Sequence, residues 1–203
     1  MGNFTLKRPT LILCAGVNAG GKTRLSRRLV EDLADSLIVD KDTLARGMLR
    51  MKNSDSSIPH ALGESHPMAS DHYDQHVKDQ SYGLLLTLAQ DNLELGKHPV
   101  IDSPYVKEIQ TDYFDNVLFP ITKGPIKIIY CHAPAVVILE RMIDRNVERD
   151  NDTLESLEAW DRFLEDQPLL PKQLEQYDHL KLDTSQGDDN SHMEIVRQYL
   201  QGN

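Results

Sequence analysis

Gly16-Val17-Asn18-Ala19-Gly20-Gly21-Lys22-Thr23 is the most informative segment for predicting the fold of this chain. It follows directly on the apolar run Leu11 to Ala15, which is typical of a strand buried on both faces. Downstream of it, apolar residues recur at the intervals of a helix that buries one face. These residues are Leu25, Leu29, Val30 and Leu33. The octapeptide is therefore predicted to connect a buried strand to an amphipathic helix.

The octapeptide matches the pattern G-x-x-x-x-G-K-[ST], which is typical of phosphate-binding loops in this strand-to-helix context. Its glycines allow several backbone N–H groups to point at phosphates, and the helix N-terminus adds the positive end of its dipole. Lys22 can bridge the β and γ phosphates, and the Thr23 hydroxyl can ligate Mg²⁺. The predicted triphosphate site consists of Gly16, Asn18, Ala19, Gly20, Gly21, Lys22, Thr23 and Arg24.

Four further apolar runs predict strands, and segments with helical spacing lie between them. The runs are Leu37 to Asp40, Val100 to Asp102, Ile126 to Cys131 and Leu180 to Asp183. Helices are predicted over Leu84 to Leu95 and Pro134 to Asn146, and after capping-box patterns that begin at Asp152 and Ser191. This alternation predicts one α/β domain over residues 1–203, with about five mostly parallel strands and helices on both faces.

Composition limits the classes of partner. The 203 residues include 22 basic and 32 acidic side chains, for a formal net charge of -10, which disfavours a long nucleic acid as partner. Cys14 and Cys131 lie in apolar strands and are predicted to be buried, reduced thiols. There is no apolar run of the roughly 20 residues that a membrane helix requires, and residues 1–8 lack a signal-peptide core. We expect a cytoplasmic protein without membrane contact, either a monomer or a homodimer.

The phosphate loop, the acidic strand ends and a later group of arginines together resemble the small P-loop kinases of the adenylate-kinase-like group. This AAA-type group includes polynucleotide 5'-kinases, gluconate kinases and chloramphenicol phosphotransferase. The resemblance implies a P-loop NTPase three-layer sandwich with a helical lid. It also implies transfer of the γ-phosphate of ATP, with Mg²⁺, to a hydroxyl of a small-molecule acceptor. The sequence lacks an Asn-Lys-x-Asp guanine-recognition motif, which favours ATP over GTP as the donor.

Acidic residues follow the second predicted strand. Related kinases carry an aspartate here that accepts the proton of the substrate hydroxyl, and often an arginine one turn later that binds substrate. By position, the aspartate is Asp40 or Asp42 and the arginine is Arg46. Asp42 could instead cap a helix that begins at Thr43, so the sequence favours Asp40, at the strand end itself, as the base and keeps Asp42 as the alternative.

Asp102 ends the third predicted strand. In P-loop enzymes an aspartate at this position commonly contacts the Mg²⁺ shell or the attacking group, so Asp102 is a candidate metal ligand and substrate contact. A helix-capping aspartate without metal contact is the alternative.

Arg141, Arg145 and Arg149 are spaced by four residues. The resemblance places them in a lid over about residues 141–165, with Arg141 on the nucleotide and the other two stabilising charge on the transferring phosphoryl group. Surface ion pairs with Glu140, Asp144 and Glu148 are the alternative. Thr184 follows the last strand, in a turn that borders adenine in related kinases, although an ordinary strand-to-loop turn explains it almost as well.

The segment from residue 53 to residue 70 has no clear periodicity and is predicted to be a long loop. We place the acceptor between the strand-end aspartates and a substrate-binding segment over about residues 50–82. Its candidate contacts are Tyr73, Arg50, Lys52, His60, His66, His72 and His76. Two rival functions remain open, a polynucleotide 5'-hydroxyl kinase and a nucleotide-dependent ATPase or switch that binds a partner.

Overall fold

Residues 4–52, 77–121, 124–147 and 150–202 are described by a computed structural model. They form one sheet of five parallel strands in the order β2-β3-β1-β4-β5. The strands are β1 Leu11–Ala15, β2 Ser36–Asp40, β3 His98–Asp102, β4 Ile126–His132 and β5 His179–Asp183. Each predicted strand is confirmed, and the one that precedes the phosphate loop lies in the middle of the sheet.

Helices follow the strands, and the predicted α/β class is confirmed. In the described residues they are α1 Lys22–Asp32, α2 Lys41–Lys52, α3 Lys78–Glu94, α4 Val106–Ile109, α5 Ala135–Arg145, α6 Asn151–Leu154, α7 Leu157–Asp166 and α8 Asp189–Gln201. A π-helix spans Phe114–Leu118, and 3-10 helices span Phe119–Ile121 and Lys172–Gln176.

The sheet is buried on both faces, which explains why its strands are near-continuously apolar. Alternate residues of β1 point to opposite faces. Leu11 and Leu13 pack in one hydrophobic cluster with α3, whereas Ile12 packs in a second cluster with α1 and α8. The two clusters form the core of a three-layer sandwich, as predicted.

Two helices begin at different residues from those that the capping boxes predict. The last helix begins at Asp189, because Asp188 accepts a bond from the Ser191 amide at 2.8 Å, so Ser191 is the third helical residue rather than the cap. Helix α7 begins at Leu157, and the cap is Ser156 rather than Asp152. Both helices exist where predicted, but another small polar residue nearby wins the competition for the free amides.

Cys14 and Cys131 are both free and buried, as predicted. Burial raises the pKa of the Cys131 thiol to about 12, so it stays protonated and unreactive at neutral pH. Within the described ranges, no helix has the length and apolar character needed to cross a membrane.

His98 makes the fold sensitive to acid at the end of the sheet opposite the phosphate loop. Its Nδ1 accepts a bond from the Thr10 amide at 3.2 Å, which requires an unprotonated nitrogen. Burial, with a smaller contribution from Lys97, lowers the pKa of His98 below 6.5, while Asp35 opposes the shift. The unfolded chain therefore takes up the proton first. The stability that neutral His98 provides is complete above pH 6.5 and is lost as the pH falls below it.

We expect the free energy of unfolding to decrease from pH 7.5 to pH 5 by more in the wild type than in His98→Gln. Glutamine can accept the same bond through its side-chain carbonyl but does not titrate. Denaturant titrations of both proteins at about five pH values measure the difference. Parallel pH dependences in the two proteins would show that His98 contributes nothing to acid sensitivity.

Candidate active site

The phosphate loop connects β1 to α1 and is held by one backbone bond within the loop and one to the segment after β3. The Gly16 amide donates to the Pro104 carbonyl at 2.9 Å, and the Gly20 amide donates to the Val17 carbonyl at 3.1 Å. Lys22 is buried, and its Nζ donates to the Val17 carbonyl at 2.8 Å. The loop is thus a closed turn with the lysine ammonium folded against it.

Two glycines of the loop are required by close approach and backbone conformation. Gly16 has a φ of 131°, and a Cβ there would lie 2.1 Å from the Cys131 carbonyl oxygen. Gly21 has a φ of 92°, and its Cβ would lie 3.1 Å from the side chain of Thr184. The loop can therefore pack against β4 and the turn after β5 only with glycine at these positions.

We expect Gly16→Ala to lower the free energy of unfolding by more than about 3 kcal/mol, because a backbone carbonyl cannot move aside for the new methyl group. Gly96→Ala is the matched control, since Gly96 also has a positive φ, 79°, but open space around it. That control should cost only about 1 to 2 kcal/mol for the left-handed conformation. Denaturant unfolding measures both, and equal losses would contradict this explanation of Gly16.

One cavity joins the phosphate loop to the carboxyl ends of β2 and β3. Asp40 and Asp102 are register partners on neighbouring strands, so their side chains enter the cavity from the same edge of the sheet. The residues that line the cavity are Asn18, Ala19, Gly21, Lys22, Thr23, Arg24, Asp40, Asp42, Asp102, Ser103, Pro104, Arg141 and Arg145. Most of the residues that the sequence singles out for the site thus lie together.

Asp102 is placed to hold a cation. It is 6% exposed, and its Oδ2 accepts a bond from the Ser26 hydroxyl at 3.2 Å. Burial raises its pKa, whereas a hydrogen bond from Thr23 and the charge of Lys22 lower it. The capping alternative does not apply, because α4 begins after Tyr105 and has no side-chain cap. The Thr23 hydroxyl and the Asp102 carboxylate, which are hydrogen-bonded to each other, are oxygen ligands of the kind that Mg²⁺ uses together with waters and substrate phosphates.

The alternative prediction that Asp42 caps the helix after β2 is wrong. Helix α2 begins at Lys41 rather than Thr43. The capping bonds belong to Asp40, whose Oδ1 accepts from the Asp42 amide at 3.0 Å and whose Oδ2 accepts from the Thr43 hydroxyl at 2.6 Å. Asp40 takes this position because it immediately precedes the first helical residue.

Asp42 lies in the first turn of α2 and lines the cavity. Its Oδ1 is 3.3 Å from Nζ of Lys41, a lysine that is only 8% exposed. Arg46 is exposed, donates to the Thr43 hydroxyl at 3.1 Å, and lies outside the lining that the described residues form. The structure therefore brings both aspartates to the cavity but leaves Arg46 at its periphery.

Arg141 and Thr184 hold the phosphate loop from the side of β5. The Arg141 guanidinium donates to the Thr184 hydroxyl at 2.9 Å, to the Thr184 carbonyl at 2.7 Å and to the Ala19 carbonyl at 3.3 Å. The Thr184 hydroxyl also contacts the Gly20 carbonyl at 3.0 Å. Both residues line a second cavity, with Arg24, Asp189 and His192, adjacent to the phosphate loop. In the small P-loop kinases that this sequence resembles, the turn corresponding to Thr184 borders the adenine, so this cavity is the predicted site of the nucleotide base.

Arg145 contacts a partner that the sequence did not suggest. Its Nε and Nη2 donate to the two carboxylate oxygens of Asp150 at 2.5 and 2.6 Å. The ion-pair alternative named Glu140, Asp144 and Glu148 for the group of arginines, yet Arg145 pairs with a buried aspartate five residues further along the chain.

Part of the predicted site falls outside the described residues. Arg149 and Tyr73 lie there, and so do the histidines of the predicted substrate-binding segment, His60, His66, His72 and His76. The side chains of Arg50 and Lys52 are not described either. Within the described ranges, no three His, Cys, Asp or Glu side chains come together as a metal site.

Several residues that border the site were not among those predicted from the sequence. Ser26 could have been found, because it lies one helical turn after Thr23 and so faces the same side of α1. Lys41, Ser103 and Asp150 are direct sequence neighbours of predicted site residues and could have been found on that ground. Asp189 carries no local signal, because it reaches the second cavity only through the packing of α8 beside the phosphate loop.

The chain matches a family model described as an AAA domain over residues 11–169. No curated protein sequence matches it. Among solved structures, a proposed kinase from Chloroflexus aurantiacus is 24% identical with a TM-score of 0.69, covering 96% of this chain and 100% of that one. The shikimate kinase of Acinetobacter baumannii, in complex with shikimate, is 16% identical with a TM-score of 0.60, covering 97% and 95%. A gluconokinase from Sinorhizobium meliloti is 16% identical with a TM-score of 0.52, covering 97% and 92%.

At these identities the solved structures establish the fold, and they agree with the sheet and helices described above. The family model confirms the predicted AAA-type group, and the solved structures confirm the predicted P-loop kinase fold. The matched region begins with β1, contains the phosphate loop, Asp40, Asp42 and Asp102, and extends past α7. The chain belongs to the AAA domain family.

Proposed function

We propose that the protein is a phosphotransferase that moves the γ-phosphate of ATP to a hydroxyl of a small-molecule acceptor. One observation carries this proposal: the phosphate-loop residues Lys22 and Thr23 and the carboxylates of Asp42 and Asp102 line the same cavity. A donor site and a candidate general base therefore border one cavity. Phosphoryl transfer requires both to reach the same acceptor hydroxyl and γ-phosphate.

The donor side of the cavity fits a triphosphate. Backbone N–H groups of the loop and the N-terminus of α1 provide donors for phosphate oxygens, and the Lys22 ammonium lies against the loop. Thr23 and Asp102 would hold Mg²⁺, which when bound neutralises charge on the β and γ phosphates. The base of ATP would occupy the second cavity, between Arg141 and the turn at Thr184.

Asp42 is our choice for the general base. It takes the proton of the acceptor hydroxyl while the hydroxyl oxygen bonds to the γ-phosphorus and the bond to the β-phosphate oxygen breaks, which releases ADP. Both oxygens of Asp40 already accept bonds at the start of α2. Asp40 therefore serves as the cap of α2, and it stays the competing candidate for the base.

Positive charge on the transferring phosphoryl group would come from Lys22 and from arginines after β4. Arg141 and Arg145 both line the cavity, and we retain Arg149 as a third candidate by its spacing. We also retain the lid over residues 141–165, acceptor contacts in residues 50–82 that include Tyr73 and Arg46, and the cytoplasmic location. A net charge of -10 supports a small acceptor over a long nucleic acid.

The proposal is tested by ADP release from ATP and Mg²⁺ in the presence of candidate acceptors. The panel comprises nucleosides, sugars, aminoglycoside-like and amphenicol antibiotics, and 5'-hydroxyl oligonucleotides. ADP release that depends on a small acceptor supports the proposal. Release only with the oligonucleotide would instead indicate a polynucleotide kinase, and release that no acceptor changes would indicate an ATPase or switch.

A further inference from the structure

We infer that Asp150 is a positioning residue that holds the guanidinium of Arg145 toward the γ-phosphate of bound ATP. This inference rests on the proposed function, because it assigns a task within the same donor site. Arg145 lines the cavity that contains Lys22 and Thr23, so its side chain is within the donor site rather than on the outer surface.

The geometry of the pair leaves half of the guanidinium available. A guanidinium has five N–H donors in a planar fork, with two edges that can each bind a carboxylate or phosphate. Asp150 uses the edge formed by Nε and Nη2. The Nη1 group and the second proton of Nη2 form the other edge, which can donate to phosphate oxygens while the first edge stays bound. Arg145 can therefore contact Asp150 and a phosphoryl group at the same time.

The difference in burial shows which partner positions the other. The Asp150 side chain is 1% exposed, whereas that of Arg145 is 26% exposed. Burial of a carboxylate costs free energy unless close partners compensate it, so the pairing with Arg145 is strong and Asp150 is itself fixed by the surrounding protein. The guanidinium is thus anchored at its inner edge and open at its outer one.

The local chain path explains why these two residues meet. Helix α5 ends at Arg145, and Asn146 follows in the left-handed conformation with a φ of 46°, which asparagine tolerates better than most residues. The Asp150 amide donates to the Val147 carbonyl at 2.9 Å. This bond holds Asp150 close to the end of the helix that carries Arg145.

An arginine fixed before the substrate arrives loses less side-chain entropy when it binds and needs no rearrangement as charge develops. Because ADP lacks the γ-phosphate, the arrangement should favour ATP over ADP. Asp150→Asn keeps the size of the side chain but replaces one acceptor oxygen with an NH₂ group that opposes the arginine N–H donors.

The test compares the affinities of ADP and of the non-hydrolysable ATP analogue AMP-PNP, each with Mg²⁺, by calorimetry. We expect Arg145→Met and Asp150→Asn each to weaken AMP-PNP binding about 10-fold, in the range seen when second partners of binding residues are removed, and to change ADP affinity by less than about twofold. Asp144→Asn, an exposed aspartate on α5, is the matched control and should bind both nucleotides as the wild type does.

Equal loss of both affinities in Asp150→Asn would overturn the inference, because a merely structural aspartate would disturb the whole site. Arg145→Lys decides the matter if Asp150→Asn does not fold. Its single ammonium can pair with Asp150 but cannot present a second planar edge, so AMP-PNP binding should weaken as in Arg145→Met. Wild-type preference for AMP-PNP in that variant would also overturn the inference. These affinities require no turnover, so they are independent of whether the acceptor panel supports phosphotransfer.

Discussion

Lys22→Met should lower kcat for acceptor-dependent ADP release by about 10²- to 10³-fold or more, the cost of removing one preorganised charge from a developing negative centre. Lys22 is buried in the phosphate loop, and its ammonium donates to the Val17 carbonyl at 2.8 Å. When a triphosphate enters, the same group is within the cavity that its β and γ oxygens would occupy. Methionine fills a similar volume without the charge.

Measuring the thermal stability of Lys22→Met beside its turnover separates a loss of catalysis from a loss of folding. The Lys22 side chain makes a bond to a loop carbonyl, so its loss should change the thermal midpoint by only a few degrees. Lys97→Met is the charge-matched control, because Lys97 pairs with Asp35 at the opposite end of the sheet and its exposed ion pair contributes little. Turnover in Lys22→Met within a factor of about three of the control would contradict a role for Lys22 in phosphoryl transfer.

Asp42→Asn should lower kcat by about 10²- to 10⁴-fold, the usual contribution of a general base. Asparagine has the same shape and can still accept a bond, but it cannot take the acceptor proton. Asp42 lies 3.3 Å from Nζ of the buried Lys41, so the free energy of unfolding is measured beside kcat to separate a loss of folding from the loss of the base.

Asp40→Asn is the informative partner variant, because it removes a carboxylate from the same cavity and from the helix cap. We expect it to cost less than about 1 kcal/mol of stability, since asparagine is also a good cap, and to reduce kcat far less than Asp42→Asn does. Steady-state kinetics on both variants, beside chemical denaturation, give the comparison. If Asp40→Asn is instead the variant that loses turnover, the base is Asp40 and Asp42 serves to orient the acceptor.

The sheet was predictable because its signals are local and strong. A strand buried on both faces of a parallel sheet is near-continuously apolar, as β1 is here. All five predicted runs form strands, although the edge strands β2 and β5 are only partly buried. The phosphate loop was predictable for a related reason. Gly16 and Gly21 are required by backbone conformation and close approach, which restrict the sequence directly.

Helix starts and short elements were harder to predict, because several polar residues compete for the same free amides. Asp40 rather than Asp42 caps α2, and Asp188 rather than Ser191 caps α8. The π-helix Phe114–Leu118 has no periodicity of its own and depends on packing, where Phe114 contacts the ring of Tyr105 at 5.5 Å between centroids.

Pairings between distant segments could not be read from spacing. Arg141 and Thr184 are 43 residues apart and meet only because β4 and β5 are neighbours in the sheet. The contact between Arg145 and Asp150 depends on a left-handed residue at Asn146, which the helical spacing of the arginines does not reveal. In both cases the position of the arginine in the sequence suggested a role in the site, but its hydrogen-bond partner could be identified only from the three-dimensional structure.

The most direct test of phosphotransfer follows the γ-phosphate itself. Wild-type protein is incubated with Mg²⁺ and ATP labelled with ³²P at the γ position, with and without each acceptor that stimulates ADP release, and the products are separated. We expect the label on the acceptor in an amount equal to the ADP formed, with both products reduced about 100-fold or more in Lys22→Met. Label found only as inorganic phosphate, in equal amount with and without acceptor, would show that the protein transfers phosphate to water and would contradict the proposed kinase.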